Sequence, residues 1–544
     1  MILWVLTLLG FLLRSWKLEY GLPQFWFIDE GRYIYDALNM AKGGLNPHAL
    51  QPTLFLYLAL SADVVYILGR FLTGSFQSIS DGWKLYKSDP TVYYVIGRGI
   101  SALLGTLTLP VLYSGVKQLF GRRTAIISAF FLTFAYLHVQ YSQIAYMDAT
   151  LTFFMTLSFC FAAAGVRKAK NIYFGLAGLA GGLAFATKYY GIAALLFGPA
   201  ASFFAQEGRP KPAEFLRKNF IFFSGFFLGF TIGNPYWLLA FNEFKGYLLV
   251  ILRDYKKGGT GQLGYEGKWN WIYYLKEPLR YGLRLPLQLA GLLGMAQMIG
   301  TPDRKKLFFL SFPLAYFAFI GISDIRTARY AMPLIPFFCA AAGFAVVTLT
   351  DIVFAKLHFH ERWKKAAQGS LALLLIIPSL VNVLRYNTLK GFPDTRQQAK
   401  EWIQKNLPPD PLILQTFFAF APTAAPNTSA KYLDITVFDT RLHHRSSLKT
   451  LSEYRAEGWK YLVLDDWHTG IIMTGAKTNP YYAQTGERYE SFLQAVQKGD
   501  ITPLAVFSPY ANPDTLLNVE NVEYTSEGLW SIKRLGPQVA IYRF

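Results

Sequence analysis

The side chains best suited to chemistry fall in four short stretches of this 544-residue chain. Phe25-Trp26-Phe27-Ile28-Asp29-Glu30-Gly31-Arg32-Tyr33 sets two adjacent carboxylates beside an arginine, among aromatics and soon after the apolar segment Met1–Leu13. Asp148 lies within Tyr141–Thr150, Lys188 within Ala186–Gly191, and Arg326, Arg329 and Tyr330 within Ser323–Tyr330. A carboxylate can act as general base on an acceptor hydroxyl or amine. Arginine forks and a lysine can neutralise a departing phosphate. Together these types suit transfer of a group from a phosphate-linked donor. Charge placed close to hydrocarbon is costly, so such residues default to a functional explanation. Plainer explanations stand beside it. The first stretch can be a solvated loop, Asp148 can be an N-cap for the helix that follows, Lys188 can snorkel to the interface, and Arg326 and Arg329 can pair with Asp324.

The elements that must position these residues are apolar. The chain is 53% hydrophobic and 17% aromatic, with 16% charged residues and a mean hydropathy of +0.24. A soluble globular chain is nearer a quarter charged. Apolar runs recur to residue 385, at lengths that suit a hydrocarbon core of ~30 Å. The expected class is a polytopic α-helical membrane protein with a C-terminal soluble α/β domain. Net charge is +19. The many apolar spans argue against nucleic acid as the partner, and leave positive-inside loops or an anionic phospholipid substrate. Cys160 and Cys339 lie far apart in apolar runs, so no disulfide framework is expected. Met1–Leu13 lacks a basic n-region and a small-residue cleavage site, and reads as a retained first helix.

Candidate spans are 1–14, 52–73, 92–116, 123–141, 149–166, 171–187, 190–206, 219–241, 281–300, 306–322, 329–351 and 368–386. Basic clusters at Lys117/Arg122/Arg123, Arg167/Lys168/Lys170, Arg209/Lys211/Arg217/Lys218, Arg304/Lys305/Lys306 and Arg362/Lys364/Lys365 fall in every second loop, which places those loops in the cytoplasm. The alternate loops, with Asp29, Glu30, Asp148, Lys188, Arg326 and Arg329, then share the outer face. Segment 52–73 begins and ends on that face, so it is expected to be interfacial or re-entrant, in keeping with its Asp63 and Arg70. About eleven crossings remain, with the N-terminus inside and the C-terminus outside. The alternative is a cytoplasmic 74–91 loop with one span miscounted.

Residues 1–390 thus form a transmembrane module and 391–544 an outer soluble domain. Asp394 opens a helical pattern ended by Pro408-Pro409. Leu412–Leu414, Tyr461–Leu464, Leu504–Phe507 and Val539–Tyr542 read as strands, and Ser491–Gln497 as a helix. The long 242–280 loop is glycine-rich, basic and aromatic around Tyr265, Trp269 and Trp271, without Walker spacing. It reads as a lid that contacts the acceptor, or as a flexible surface loop. Structural zinc has no supporting Cys/His spacing. A divalent ion held by Asp29, Glu30 and Asp148 stays open.

With these residues in view, the chain resembles the GT-C superfamily of polyprenyl-phosphate-sugar glycosyltransferases, in the branch of protein O-mannosyltransferases and lipid A aminoarabinose transferases. Asp29–Tyr33 resembles the family's first-loop acidic motif, and Gln51-Pro52-Thr53-Leu54-Phe55-Leu56-Tyr57 its proline-marked juxtamembrane helix. Gln140–Phe154 is similar to the second-loop acidic motif, Lys188-Tyr189-Tyr190-Gly191 to a lysine–aromatic–glycine segment, and Arg329–Pro336 to a late motif. The resemblance implies Asp29 as general base or acceptor-orienting carboxylate, supported by Glu30. It implies Arg32 and Lys188 on the lipid phosphate, and Asp148 orienting the acceptor or helping to hold a metal. Gln51 and Gln143 depart from relatives that carry lysine and arginine there, which shifts phosphate binding towards Arg32, Lys188, Arg326 and Arg329. The implied reaction inverts the sugar's anomeric centre and passes it to an extracytoplasmic lipid, glycan or protein. A flippase of lipid-linked sugars is a rival, although no inverted repeat or paired broken helices are visible in the sequence. An oligosaccharide ligase with a pyrophosphate donor is another.

Overall fold

In hydrocarbon every backbone polar group must be satisfied within its own segment, so the apolar runs fold as helices. The computed structural model describes residues 1–24, 27–41, 52–205, 211–256, 270–322, 326–357, 360–409, 411–416, 431–432, 449–470, 473, 480–512, 515 and 528–544. Tyr265, Trp269 and Gln51 lie outside the described residues.

The order is α1 (Ile2–Arg14), α2 (Ile28–Met40), α3 (Leu54–Leu72), α4 (Asp81–Ser88), α5 (Thr91–Thr133), α6 (Tyr136–Tyr141), α7 (Met147–Lys168) and α8 (Asn171–Thr187). A 3₁₀ turn, Tyr189–Leu196, runs into α9 (Phe197–Phe204). Next come α10 (Pro212–Gly233), α11 (Tyr236–Leu239), α12 (Phe241–Lys256), α13 (Asn270–Lys276), α14 (Pro278–Leu283), α15 (Leu285–Gly300) and α16 (Arg304–Ile322). A second 3₁₀ turn, Ala328–Leu334, opens α17 (Ile335–Leu357), and α18 (Glu361–Leu389) ends the apolar series. Among the described residues seven helices are long and apolar enough to cross a membrane, and four shorter apolar helices accompany them. This is a polytopic helical membrane fold. α3 is among the seven by length and composition, and its Asp63 is fully buried while Val65 and Leu72 are exposed.

Several expected boundaries move. The 15–51 stretch, read as a loop, contains α2. The 242–280 stretch is helical at both ends, through α12 and α13. The 219–241 span is displaced to α10, because Pro212 starts the helix and the Asn234-Pro235 pair stops it, with Asn234 at φ −148° and ψ 69°. α5 turns sharply at Gly121, whose φ of 86° only glycine adopts freely. The turn separates a long first limb, carrying Arg98, from a short return limb.

α8 and α10 approach through glycine. A Cβ at Gly178 would lie 1.9 Å from the Phe222 carbonyl oxygen, and one at Gly182 would lie 2.0 Å from that of Phe226. Small residues allow such backbone contact where no hydrophobic force drives helices together in lipid. Gly178→Leu is expected to separate the pair and lower the thermal midpoint in detergent, read by a melting curve against the parent, whereas Gly99→Leu, in open space, leaves it in place.

After α18 the architecture changes. α19 (Thr395–Asn406) is capped by Asp394, whose side chain accepts from the Arg396 backbone N–H, as the sequence suggested. The strands β1 (Ile413–Gln415), β2 (Lys431–Tyr432), β3 (Tyr461–Asp465), β4 (Thr502–Phe507) and β5 (Val539–Arg543) form one sheet in the order β2-β1-β3-β5-β4. β1 is parallel to β2 and β3, while β5 is antiparallel to β3 and β4. Ile413, Val463, Val539 and Ile541 pack on Ala399 and Ile403 of α19. Leu414, Leu462 and Leu464 face Leu451 and Tyr454 of α20 (Leu451–Ala456), and Tyr489 and Phe492 of a helix that spans Pro480–Ala495. β2 and α20 were not expected, and the last helix is longer than Ser491–Gln497.

This domain docks on the helices through Trp467, Tyr510, Leu529 and Ile532, which pack with Tyr20, Tyr136, Val383 and Tyr386. Polar contacts fix the seam: Arg385 Nη2 donates to Ile532 O at 2.6 Å, and Tyr20 Oη to Asp394 Oδ2 at 2.8 Å. Within the domain, Asp466 accepts from Tyr510 Oη at 2.5 Å and from the Gln538 N–H at 2.8 Å. Burial pushes its carboxyl up to about 7, and Asp465 next to it adds to the rise. A carboxyl raised on folding stabilises the fold at low pH and loses that contribution as pH rises through 7. Between pH 5 and 8 the parent's thermal midpoint therefore falls more steeply than that of Asp466→Asn.

Candidate active site

Both acidic stretches converge with Lys188 and Arg329. Asp29 sits in the first turn of α2, and its Oδ2 accepts from Arg329 Nη1 at 2.6 Å. Asp148 sits in the first turn of α7, and its Oδ1 accepts from Lys188 Nζ at 2.7 Å. The two pairs share one cluster. Arg329 lies over the Tyr146 ring at 5.3 Å, Lys188 lies over the Tyr330 ring at 5.0 Å, and the Asp29 N–H donates to Tyr146 Oη at 3.4 Å.

Local backbone explains how cations reach this place. α8 ends at Lys188, which is extended at φ −159° and ψ 141° before the first 3₁₀ turn. Thr327 is likewise extended before the second turn, which carries Arg329. The turns meet where the Tyr190 and Tyr330 rings pack at 4.2 Å between centroids, tilted 36° to each other. The sequence placed both breaks between candidate spans, 171–187 and 190–206 for Lys188 and 306–322 and 329–351 for the late arginines, but nothing in it showed that the two would meet.

Asp148 is not the N-cap. Tyr146 takes that position in extended conformation, with no side-chain bond. The Asp148 carboxylate, 2% exposed, is spent on Lys188 instead. Lys188 does not snorkel outward, since the same pair holds it. Asp324 lies outside the described residues, and Arg329 pairs with Asp29, 300 positions away.

Glu30 differs from its neighbour. It is fully buried, and both oxygens take the Arg98 guanidinium, Nε to Oε1 at 2.8 Å and Nη2 to Oε2 at 2.7 Å. The Ala145 N–H donates to Oε1 at 2.7 Å. Arg98 Nη1 also reaches the carbonyls of Leu18 at 2.5 Å and Tyr20 at 2.8 Å. Glu30 thus ties α2 to α5 and to the loop ahead of Asp148. Asp29, at 33% side-chain exposure, is the more accessible acid. Burial raises its carboxyl, but the charge and hydrogen bond of Arg329, with Lys188 and Arg32, bring it below the usual carboxylate range.

Of the remaining candidates, Arg32 acts on Asp29 through its charge. Arg32 is partly exposed with Nε 3.6 Å from Asp36 Oδ2. Arg326 is buried just ahead of the second turn. Trp271 is held on α13, its Nε1 3.4 Å from Ala318 O of α16. Among the described residues no three His, Cys, Asp or Glu side chains gather to hold a metal ion, and the three acids each face a cation, which suits metal binding poorly.

The sequence did not single out Arg98, Tyr146 or Lys390. Lys390 is buried and donates to Gln143 Oε1 at 2.7 Å.

Over its full length the chain superposes on 88% of the apo oligosaccharyltransferase of Archaeoglobus fulgidus, with a TM-score of 0.58 and 13% identity. The fold is thus shared with that oligosaccharyltransferase. The same architecture is seen in the Archaeoglobus fulgidus oligosaccharyltransferase AglB in complex with an inhibitory peptide and a dolichol-phosphate, with TM-score 0.53, 11% identity, and coverage of 100% of this chain and 88% of that one. ArnT from Cupriavidus metallidurans bound to undecaprenyl phosphate aligns over 99% of this chain and 97% of that one, with TM-score 0.49 and 14% identity. Residues 95–238, which include Arg98, Asp148 and Lys188, match the family model of dolichyl-phosphate-mannose-protein mannosyltransferases. A comparison with curated protein sequences finds no match.

Proposed function

We propose that this protein is a membrane glycosyltransferase that takes a sugar from a polyprenyl-phosphate donor and passes it to an acceptor on the extracytoplasmic face, inverting the anomeric centre. One observation carries this: Asp29–Arg329 and Asp148–Lys188, at 2.6 and 2.7 Å, bring two acids and two cations from four distant stretches into one cluster. The mannosyltransferase match over residues 95–238, and the dolichol-phosphate in the complex of the similar AglB, support a lipid-phosphate donor.

A phosphodiester entering the cluster competes with the carboxylates for Arg329 and Lys188, with Arg326 and Arg32 adding positive charge. As Arg329 turns to the phosphate, Asp29 loses the contact that lowers its proton affinity, and burial makes it a stronger base. The acceptor's oxygen or nitrogen attacks the anomeric carbon and its proton passes to Asp29. The bond from that carbon to the phosphate oxygen breaks, and the electron pair leaves on the phosphate, where the cations stabilise it. Asp148 keeps Lys188 aimed and orients the acceptor. Glu30 positions Asp29, and Tyr330 carries Lys188 on its ring. No step is assigned to a metal.

We assign residues 1–390 to the catalytic module, and 391–544 to a domain on the same face that helps to bind the acceptor. The basic ends support this orientation: Arg123 and Lys364 both pair with Asp351 near the end of α17, while Arg329 stands at that helix's start. Vesicles reconstituted with radiolabelled polyprenyl-phosphate sugar and supplied with acceptor extract test the function. A transferase breaks the sugar–phosphate bond in an Asp29-dependent way; a flippase moves the lipid between leaflets with that bond intact, and that outcome would overturn the proposal.

A further inference from the structure

The seam between helices and soluble domain contains a buried cation that the transfer mechanism does not use. Lys390 follows α18 directly and is 4% exposed. Its Nζ donates to Gln143 Oε1 at 2.7 Å and lies 5.3 Å from the Tyr386 ring centroid and 6.0 Å from that of Tyr20. No carboxylate pairs with it among the described residues. Burying an ammonium against a neutral amide is costly, so a lysine kept there needs a reason beyond packing.

The hydrogen bonds around it run in one direction. Gln143 Nε2 donates to Leu13 O at 2.6 Å and to Asn387 Oδ1 at 2.8 Å. Gln143 begins the short connection to α7 that also carries Ala145 and Tyr146. The Ala145 N–H holds Glu30 at 2.7 Å, and Tyr146 receives the Asp29 N–H at 3.4 Å and lies under Arg329 at 5.3 Å. One side of this connection touches the acids of the active site. The other side is held by the first residue after the last apolar helix. Four residues further on, Asp394 caps α19 and accepts from Tyr20 Oη at 2.8 Å, while the Tyr20 carbonyl accepts from Arg98 at 2.8 Å.

We infer that Lys390 is a positioning residue for transfer: through Gln143 it sets the loop that orients Asp29, and so ties the placement of the soluble domain to the geometry of the acid. This rests on the transferase function proposed above. Its Nζ is the donor that occupies Gln143 Oε1 and so fixes which way the amide faces. Gln143 is then held at three points, and its amide orientation is determined by its partners. Lys390 touches neither acid, so its loss acts on turnover through loop geometry rather than on donor binding.

The test compares kcat, donor KM and thermal midpoint for the parent, Lys390→Met, and the exchanged pair Gln143→Lys with Lys390→Gln. The probe is radiolabelled polyprenyl-phosphate sugar with acceptor extract and full-length protein in detergent. Lys390→Met is expected to lose about 10- to 100-fold in kcat, the scale of a small misplacement of a reacting group, with donor KM nearly unchanged. The exchanged pair restores one cation and one amide to the same contact, and most of kcat returns. A merely structural lysine would lower the thermal midpoint together with kcat, whereas a positioning lysine lowers kcat with the midpoint level. Lys390→Met turning over at the parental rate overturns the inference, as does an exchanged pair no better than the single variant. If Lys390→Met does not fold, the exchanged pair is judged against the parent, and a folded pair far below the parental kcat overturns the inference. A parent that releases no polyprenyl phosphate overturns the transferase function itself, and the inference falls with it.

Discussion

Asp29→Asn is expected to fold as the parent does and to transfer sugar about 10²–10⁴-fold more slowly, the range that a positioned general base supplies. The substitution is isosteric. Its amide oxygen still accepts from Arg329 Nη1, whose present distance is 2.6 Å, and the backbone bond to Tyr146 is untouched. What is lost is the capacity to take a proton. Donor KM is expected to change little, because Arg329 and Lys188 remain, so the loss lies in kcat. The measurement is initial-rate kinetics with the melting curve recorded on the same preparation. Transfer at the parental rate by a folded Asp29→Asn would remove Asp29 from catalysis.

Arg98→Met is expected to cost about 3–5 kcal/mol of stability, the usual consequence of stranding a buried charge. Here the stranded group is the Glu30 carboxylate, fully buried and left with the Ala145 N–H as its remaining described donor. The carbonyls of Leu18 and Tyr20 lose a donor as well. Adding Glu30→Gln removes the uncompensated charge, so the double variant is expected to be more stable than Arg98→Met alone, with the coupling read from a double-mutant cycle of melting curves. A single Arg98→Met variant as stable as the parent would mean that this pair does not hold α2 in place. The two variants separate adjacent acids by effect: Asp29 on turnover, Glu30 and its partner on folding.

Much of the architecture is legible in the chain because the membrane imposes simple rules. Segment length and the alternation of basic loops suffice to separate an apolar helical module from a late α/β domain. The acids and cations of the site could be picked out because charge is scarce near hydrocarbon. Pairing was not legible. Arg98 sits inside an apolar run and reads as part of a span, and its partner Glu30 is 68 positions away. Lys390 reads as the first residue of a linker, because nothing local announces Gln143, 247 positions earlier. α2 was read as loop, since its charges draw attention from the helical spacing of Tyr33, Ile34, Ala37 and Leu38, all buried. Asp148 misled in the opposite way. Its position suits a cap, but a tertiary partner, Lys188, outcompetes the local bond.

Mass spectrometry of the lipid product, with purified protein, polyprenyl-phosphate sugar and acceptor extract, is the most direct test of what this site does. The expected result is sugar-free polyprenyl monophosphate formed by the parent and reduced to background in Asp29→Asn. A pyrophosphate lipid as the product, or release of monophosphate that is the same in both proteins, would contradict transfer from a polyprenyl-phosphate donor at this cluster.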